Sequence, residues 1–335
     1  MTQAAALAAY GSNSPSNRNR IINGDMRIDQ RNAGASVTPT ANPTYLVDRW
    51  FFGLQQASKM SFQQSSTAPA GFNNSLLATS LSAYTPLSSD YHYLGQRVEG
   101  YNVADLGWGT ADAKTITLSF WVRSSVTGTL SGSLSNSGAT RSYPFTYTIS
   151  SANTWEQKYV TIAGDTAGTW DKTNGRGIVI SFSLGSGSTY LGTADAWAGA
   201  YYTGATGSIQ PIATSGATFY ITGVQLEEGS VATPFEHRQY GQELALCQRY
   251  FEVAYVTSSN YAFLSSSYLG TTNNWYSYYY KVPKRAVATF NLTNGTWNGS
   301  PTIYAHIDQT MFYGGSNFLL QGTAGQSACS FSAEL

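Results

Sequence analysis

Short segments in which apolar and polar residues alternate recur through most of the chain before residue 230, and they limit the possible folds more than any other feature. The clearest spans residues 115–123, where every second residue from Ile116 to Val122 is apolar. A period of two turns alternate side chains toward opposite faces of a β-strand, so one face meets a core. The pattern recurs at residues 143–149, 155–162, 177–184 and 218–226. About eight such strands, with no helical period between them, predict an antiparallel β-sandwich of the jelly-roll type.

One segment, residues 235–252, departs from this pattern and predicts a helix. Its apolar side chains recur at spacings of four, three and four residues, which is typical of one buried face of an α-helix. They are Tyr240, Leu244, Cys247 and Phe251. Residues 233–236 have the composition of a capping box, which would start the helix early, whereas a chain that stays extended to Arg238 would start it late. We therefore expect the helix to begin between residues 234 and 240.

These patterns divide an all-β chain into four parts. They are an arm at residues 1–19, a jelly roll at 20–234, a short connector helix at 235–252 and a small C-terminal β domain at 253–335. The arm is small and polar, so it is either a disordered terminus or a segment that orders when docked on a larger assembly. Residues 20–30 have a strand pattern interrupted by an Asn-Gly turn signal. A C-terminal domain of this size buries a limited fraction of its surface alone, so we expect it to pack against copies of itself.

The composition argues against several classes of partner. Charged residues make up only 11% of the chain, and 18 basic groups balance 18 acidic groups. Nucleic-acid binding needs clustered Lys and Arg, so it is not expected. No apolar run reaches the length of a membrane span, and nothing resembles a secretory signal. The 24 Tyr and 8 Trp lie instead in a background of Ser, Thr, Asn and Gly, which gives a neutral, hydroxyl-rich and aromatic surface suited to a β protein that works outside a cell.

Two cysteines, Cys247 and Cys329, are too few for a disulfide framework. One lies in the predicted helix and the other in a predicted strand. We expect two buried free thiols rather than a bridge.

No motif in the chain indicates catalysis. The sequence has no nucleophile elbow, phosphate loop, zinc-protease helix or paired-cysteine zinc spacing. The histidines His92, His237 and His306 lie in unrelated contexts. A glycosidase needs two carboxylates brought together, and the sequence leaves such a pair open. The available acids are Asp25, Asp29, Asp48, Glu99, Asp105 and Glu227. We therefore predict a protein that is not an enzyme.

Aromatic side chains are better placed to bind a ligand. A pyranose ring stacks its C–H groups on Trp or Tyr, and its hydroxyl groups bond to nearby polar groups. The candidates are Trp121, Trp197, Tyr201 and Tyr202 in the first domain, with Trp275 and Tyr276 in the second. Residues 275–280 place aromatic rings on both faces of a strand, so at least one set needs a partner, a ligand or an interface.

Two parts of the chain resemble a widespread family of bacteriophage and prophage structural proteins, often tail fibres or receptor-binding proteins. The first is RIINGDMRIDQRNAGASV with YLVDRWFF, and the second is FYITGVQLEEGSVATPFEHRQYGQELALCQRYF. The resemblance covers roughly residues 20–251. Within it, TLSFWVRSS and TWEQKYVTIAGD are similar to inner strands of carbohydrate-binding jelly rolls. Gene transfer agents, which are domesticated phage particles, use related components as head spikes and tail fibres.

The resemblance implies a virion component that is assembled in the host cytoplasm and acts outside it. It implies a homotrimer that helps to recognise host-surface polysaccharide, with the arm contacting other virion proteins. It supplies no catalytic residue. Some carbohydrate-binding jelly rolls hold a structural calcium ion, and Asn23, Asp25 and Glu227 occupy comparable places here. The chain lacks a recognisable multi-Asp calcium loop, and no other cofactor is expected.

The expected function is therefore a fibre or spike protein of a phage or phage-like particle that attaches to host glycans. One alternative is a capsid decoration protein or a baseplate or tail adaptor that touches no host, in which case the aromatic residues form protein interfaces. A second alternative is a polysaccharide depolymerase.

Overall fold

The computed structural model describes residues 18–256, 265–269, 273–293, 295–298, 302–315, 319–322 and 327–335. Within residues 18–234 the chain forms short 3-10 turns and thirteen β-strands. The turns span Gly100–Asn102, Ala104–Leu106, Ser188–Tyr190 and Pro211–Ala213. The strands are β1 (Thr44–Tyr45), β2 (Trp50–Leu54), β3 (Met60–Ser65), β4 (Ser75–Ser80), β5 (Tyr91–Glu99), β6 (Ile116–Ser124), β7 (Gly128–Ser135), β8 (Ser142–Ile149), β9 (Glu156–Ile162), β10 (Arg176–Ser186), β11 (Leu191–Gly192), β12 (Gly204–Ala205) and β13 (Thr218–Glu228).

Eleven of these strands form two antiparallel sheets that enclose the core. One sheet has six strands in the order β1-β2-β5-β10-β7-β8, and the other has five in the order β3-β4-β13-β6-β9. β11 and β12 pair in parallel within the long connection between β10 and β13. Many neighbours in each sheet are distant in sequence, as in a jelly roll. The predicted all-β jelly-roll sandwich is confirmed.

The core lies between the sheets and consists of the side chains that alternate inward. On β6 these are the predicted residues Ile116, Leu118, Phe120 and Val122, which are all fully buried. Phe120 packs edge-on against Phe182 of β10, with ring centroids 4.9 Å apart. Burying one side chain of this size stabilises the fold by about 1.5–3 kcal/mol.

The strand predicted at residues 20–30 is wrong, because side-chain hydrogen bonds hold this segment instead of a strand ladder. The Asn23 amide donates to the main-chain oxygens of Ile28 and Asp48 over 2.8 and 2.9 Å. Its oxygen accepts from the Ile28 N–H over 3.0 Å. Local bonds of this kind compete with regular secondary structure. The Asn-Gly signal therefore marks a fixed turn.

The helix, α1 (Tyr240–Gln248), begins at the late end of the predicted window. The capping-box interpretation is wrong, because Gln239 is the N-cap residue. Thr233 binds Glu227 instead, through its N–H at 2.8 Å and its hydroxyl at 2.6 Å. These hydrogen bonds hold the irregular segment before the helix against β13.

The predicted apolar face of the helix is wrong at both ends. Tyr240 is 58% exposed, and Phe251 lies in the strand that follows the helix. Cys247 is buried as predicted, but Glu243 is buried beside it. Glu243 accepts a hydrogen bond from the Asn23 N–H and forms an ion pair with a neighbouring arginine. A polar network therefore covers part of the surface that the apolar spacing assigned to a core.

The C-terminal part is also β-rich, which confirms the predicted fold class. Its described strands are β14 (Phe251–Val256), β15 (Ser265–Leu269), β16 (Asn273–Tyr279), β17 (Thr289–Thr293), β18 (Gly295–Asn298), β19 (Thr302–Ala305), β20 (Gln309–Gly315), β21 (Leu319–Gly322) and β22 (Ser327–Ser332). They form sheets in the orders β14-β22-β17, β15-β16-β20-β19 and β18-β21. Cys247 and Cys329 are both buried and free, as predicted. In the described ranges, no helix has the length and apolar character needed to cross a membrane.

The residues after β22 return to the sandwich. Glu334 pairs with Arg31 over 2.8 Å and also with Arg49. The Arg49 and Glu334 side chains are only 1% and 6% exposed, so these ion pairs are held away from solvent. An apolar cluster joins the N-terminal segment, the helix and the last residue; it consists of Ile22, Ile28, Cys247, Tyr250 and Leu335.

Candidate functional site

The outer face of the six-stranded sheet carries an apolar cluster that is separate from the core. On β5, Leu94 joins the core while Tyr93 packs with Phe51 on the opposite face. Tyr45 and Tyr91 pack against the same cluster. The alternation that fills the core therefore also builds an aromatic surface on the outside of the sheet.

The connection between β10 and β13 adds two more tyrosines to this surface. Tyr190 stands edge-on to Tyr91, with ring centroids 5.1 Å apart, and lies 6.0 Å from Tyr201. The Tyr201 hydroxyl donates to the Tyr93 hydroxyl over 3.1 Å. We name this surface the tyrosine face; it consists of Tyr45, Tyr91, Tyr93, Tyr190 and Tyr201.

The rings of the tyrosine face are held in place by close packing. The Tyr93 ring lies against Gly53, where a Cβ atom would come within 2.7 Å of it. Tyr93 also meets Phe51 edge-on at 5.8 Å, and the Arg97 guanidinium lies 4.3 Å from the Phe51 ring centre. Rings that are fixed before a ligand arrives lose little entropy when it binds.

The hydroxyl groups of Tyr93 and Tyr201 stay protonated. Burial raises the pKa of Tyr93. Burial also raises the pKa of Tyr201, and the neighbouring Tyr93 raises it further. A protonated phenol both donates and accepts hydrogen bonds. The rings thus present polar groups at their edges that suit the hydroxyl groups of a ligand.

Two arginines border the tyrosine face. Arg97 donates to the Tyr45 hydroxyl over 3.3 Å and also to the main-chain oxygen of Leu335. Arg176 lies at the start of β10 and is exposed. Burial of part of the Arg176 side chain lowers its pKa, and the nearby positive charge of Arg97 lowers it further. This edge of the sheet is therefore positively charged.

Four rings of the tyrosine face remain partly accessible: Tyr45, Tyr91, Tyr190 and Tyr201 are half-buried. Flat apolar rings edged with hydroxyl groups, and beside them a cation, match the mixed surface of a saccharide. The tyrosine face is thus chemically suited to bind a sugar.

Sequence reasoning identified Tyr201 but missed the other four members of the tyrosine face. Residues 58–98 have many turn residues, and this hid the strand β5 within them. The signal that would have found it is the spacing of Tyr91, Tyr93 and Arg97, which places all three on one side of a strand.

Trp121 lies on the five-stranded sheet, so the structure does not bring it together with Tyr201. Its half-buried ring borders Gly223, where a Cβ atom would come within 3.0 Å of the indole. Phe72 lines the other side of Gly223 at 2.7 Å. Trp121 therefore belongs to a separate aromatic site on the opposite surface of the sandwich.

Trp197 and Tyr202 have packing roles outside the tyrosine face. Trp197 meets Trp108 and Trp170 edge-on at 5.4 and 5.6 Å, and its indole N–H donates to a main-chain oxygen over 2.8 Å. The Tyr202 ring covers Gly192 so closely that a Cβ atom there would overlap it.

Trp275 and Tyr276 lie in the middle of β16, which pairs with β15 and β20. Their side chains lie outside the part of the chain that the structure describes. Their role in glycan binding stays a prediction.

The three residues predicted for a structural calcium ion do not fit one. The Asn23 side chain is occupied by main-chain groups, and the Asp25 carboxylate pairs with Arg27 over 3.1 Å. Glu227 accepts both hydrogen bonds from Thr233. Calcium needs about six to eight oxygen ligands. Within the described ranges, no group of three or more His, Cys, Asp or Glu side chains is placed to hold a metal ion.

The acids that left a glycosidase pair open have separate partners. Glu99 binds the Arg249 guanidinium at 2.6 Å, and Asp48 accepts from the Gln30 N–H at 2.9 Å. In the described part of the chain, no hydrogen bond joins any two of these six acids; they are Asp25, Asp29, Asp48, Glu99, Asp105 and Glu227.

The fold has several solved counterparts at low similarity. A candidate sugar-binding protein from Bacteroides thetaiotaomicron is 14% identical and matches 63% of this chain and 100% of its own, with a TM-score of 0.39. The enzymatically active domain of bacteriophage CBA120 tailspike protein 4 is 11% identical over 54% of this chain and 19% of its own, with a TM-score of 0.32. A family 11 carbohydrate-binding module from Clostridium thermocellum, solved with a β-1,3-1,4-mixed-linked tetrasaccharide, is 13% identical over 59% of this chain and 100% of its own, with a TM-score of 0.30.

No protein-family model and no curated protein matches the chain. Structural likenesses with TM-scores below 0.5 say nothing about what this chain binds, so its function has to be inferred from its own residues.

Proposed function

We propose that this chain is a non-enzymatic fibre or spike protein of a phage or phage-like particle, and that it attaches the particle to polysaccharide on the host surface. The observation that carries the glycan-binding part is the tyrosine face. It combines partly accessible rings, hydroxyl groups at the ring edges and fixed packing on one surface of a rigid sheet. These are the features that stack a pyranose and bond to its hydroxyl groups.

The particle role is supported by the sequence resemblance of residues 20–251 to phage structural proteins. In this proposal, residues 1–19 attach the chain to other virion proteins, and residues 253–335 form the tip or the trimer contact. Three copies on one fibre, and several fibres on one particle, would add weak sugar contacts into firm attachment. The protein would be assembled in the host cytoplasm and act outside the cell.

Binding to purified host-surface polysaccharide tests the proposal. The full chain is run through gels that contain the polysaccharide, and the retardation gives its affinity. Tyr190→Ala removes a ring that contacts Tyr91 and Tyr201. We expect its affinity to fall about 30-fold, since an aromatic anchor at the centre of a site contributes about 2 kcal/mol.

Two further variants locate the site. Tyr101→Ala removes a ring that is 62% exposed outside the tyrosine face, and its affinity should match that of the wild type. Trp121→Ala tests the opposite surface. If Trp121→Ala abolishes binding and Tyr190→Ala leaves it unchanged, the tyrosine face is not the site.

The same variants separate the alternatives. In an adaptor, neither the wild type nor any variant would bind the isolated polysaccharide detectably. Tyr190→Ala would instead disrupt particle assembly. In a depolymerase, the wild-type chain would release reducing ends from the polysaccharide. Either result would contradict the proposed role.

A further inference from the structure

The tyrosine face carries one cation without a partner. The Arg176 side chain makes no hydrogen bond and no ion pair with any residue that the structure describes. Its neighbour across the strand pair is Glu99, but that carboxylate is already occupied. Arg249 holds it with two hydrogen bonds of 2.6 and 3.0 Å, and the Tyr250 hydroxyl donates to it over 2.5 Å.

Arg176 lies beside the rings of the tyrosine face. Its partner across the strand pair, Glu99, lies two residues after Arg97 and six after Tyr93 on β5, and this even spacing places Arg176 on the face of the sheet that carries the tyrosines. The pKa of Arg176 is lowered, first by burial and then by Arg97. Arg141 shows the opposite, because its hydrogen bonds to a carboxylate raise its pKa.

The Arg97 guanidinium is not free to bind a ligand in place of Arg176. It is occupied by the Tyr45 hydroxyl and the main-chain oxygen of Leu335, and it stacks over Phe51. The planar fork of a free guanidinium matches a carboxylate or a phosphate and binds either through two parallel hydrogen bonds. An exposed, unpaired arginine beside stacking rings therefore favours a ligand that has both an apolar sugar face and an anionic group.

We propose that the tyrosine face selects acidic glycans, and that Arg176 binds the carboxylate or phosphate group of a sugar that stacks on the tyrosines. This inference rests on the proposed glycan binding and names the class of glycan. Arg176 determines specificity, whereas the rings supply binding that is common to neutral and acidic sugars.

The test compares polymers that differ only in charge. The full chain is titrated by affinity electrophoresis with polygalacturonate and with the same polymer after reduction of its carboxyl groups. A second pair of polymers consists of a phosphomannan and the mannan left after its phosphate is removed. We expect the wild type to bind at least one acidic polymer about tenfold more tightly than its neutral counterpart. The pair of polymers that shows the difference in affinity identifies the anionic group.

Arg176→Gln should abolish this preference, so that the variant binds the acidic polymer no more tightly than its neutral counterpart. Arg123→Gln is the control for loss of an arginine outside the tyrosine face, because Arg123 lies over the Tyr220 ring on the five-stranded sheet. It should keep the preference.

The outcomes separate this inference from the proposed function. If the wild type binds acidic and neutral polymers equally, or if Arg176→Gln keeps the preference, acidic selectivity through Arg176 is refuted while glycan binding stands. If neither these polymers nor the host-surface polysaccharide is bound, glycan binding itself is refuted.

Discussion

The buried ion pair between Glu252 and Lys284 gives the sharpest stability prediction. Both side chains are 0% exposed, and the Lys284 Nζ lies 2.7 Å from Glu252 Oε2. Nζ also donates to the main-chain oxygen of Gln248 over 2.6 Å, and the Tyr278 hydroxyl donates to Glu252 over 2.7 Å. Burial lowers the pKa of Lys284, while Glu252 opposes that shift. The pair joins the connection between β16 and β17 to β14, and the Lys284 bond to Gln248 also joins it to the end of α1.

Lys284→Met removes the positive charge and leaves the carboxylate of Glu252 buried without its cation. Breaking a buried pair in this way costs about 3–5 kcal/mol, because the remaining charge stays desolvated. We expect the free energy of unfolding to fall by that amount in urea titrations followed by circular dichroism.

Two further variants test the reasoning. Glu252→Gln combined with Lys284→Met removes both charges and keeps an acceptor for Tyr278, so it should be more stable than Lys284→Met alone. Lys114→Met breaks an ion pair of 3.0 Å whose side chains are 43% and 44% exposed, and it should cost less than about 1 kcal/mol. Equal losses for Lys114→Met and Lys284→Met would show that burial does not control the strength of these pairs.

Two other predictions concern pH and packing. Burial raises the pKa of Asp48 from 3.8 to about 7, so the folded protein holds a proton that the unfolded chain releases. Its free energy of unfolding should therefore fall as pH rises across that window, and Asp48→Asn should flatten the slope in urea titrations; an unchanged slope would refute this assignment. A Cβ atom at Gly24 would overlap the main-chain oxygen of Val224, so Gly24→Ala should lower stability by about 1–3 kcal/mol and lower the melting temperature. Gly199→Ala, with nothing within 4 Å, should leave the melting temperature unchanged, and equal effects would contradict the steric explanation.

The strands β6, β10 and β13 and their inward faces were predictable because their signal is local. On β6, alternate residues from Ile116 to Val122 are fully buried. In a strand, a period of two places all of them on the same face, so that face has to meet the core. The same holds for β10 and β13, whose predicted extents fall within the observed strands.

The helix face was not predictable because the residues that cover it are far away in sequence. Glu243 accepts from the N–H of Asn23, which lies 220 positions earlier. Arg238 donates to Glu243 and to the main-chain oxygen of Ile21. The apolar spacing within residues 235–252 gives no information about these partners.

The tyrosine face was only partly predictable for the same reason. Its members come from β1, β5 and the connection after β10, and the order β1-β2-β5-β10 brings them together. A composition rich in tyrosine indicated ligand binding, and Tyr201 was identified in a long loop. The choice between Tyr201 and Trp197 needed the structure, because only packing shows that Trp197 lies among Trp108 and Trp170.

The tyrosine face also depends on the residues that follow β22. Tyr45 donates from its hydroxyl to the main-chain oxygen of Leu335 over 3.1 Å, and Arg97 donates to the same oxygen. On their other sides, both side chains contact the Phe51 ring that supports Tyr93. Leu335 packs into the apolar cluster beneath α1. Displacing it would therefore remove the acceptor that holds the Tyr45 and Arg97 side chains at the edge of the tyrosine face. The C-terminal residues therefore act as a scaffold for the candidate glycan site, and this holds whatever the outer surface of β14–β22 contacts.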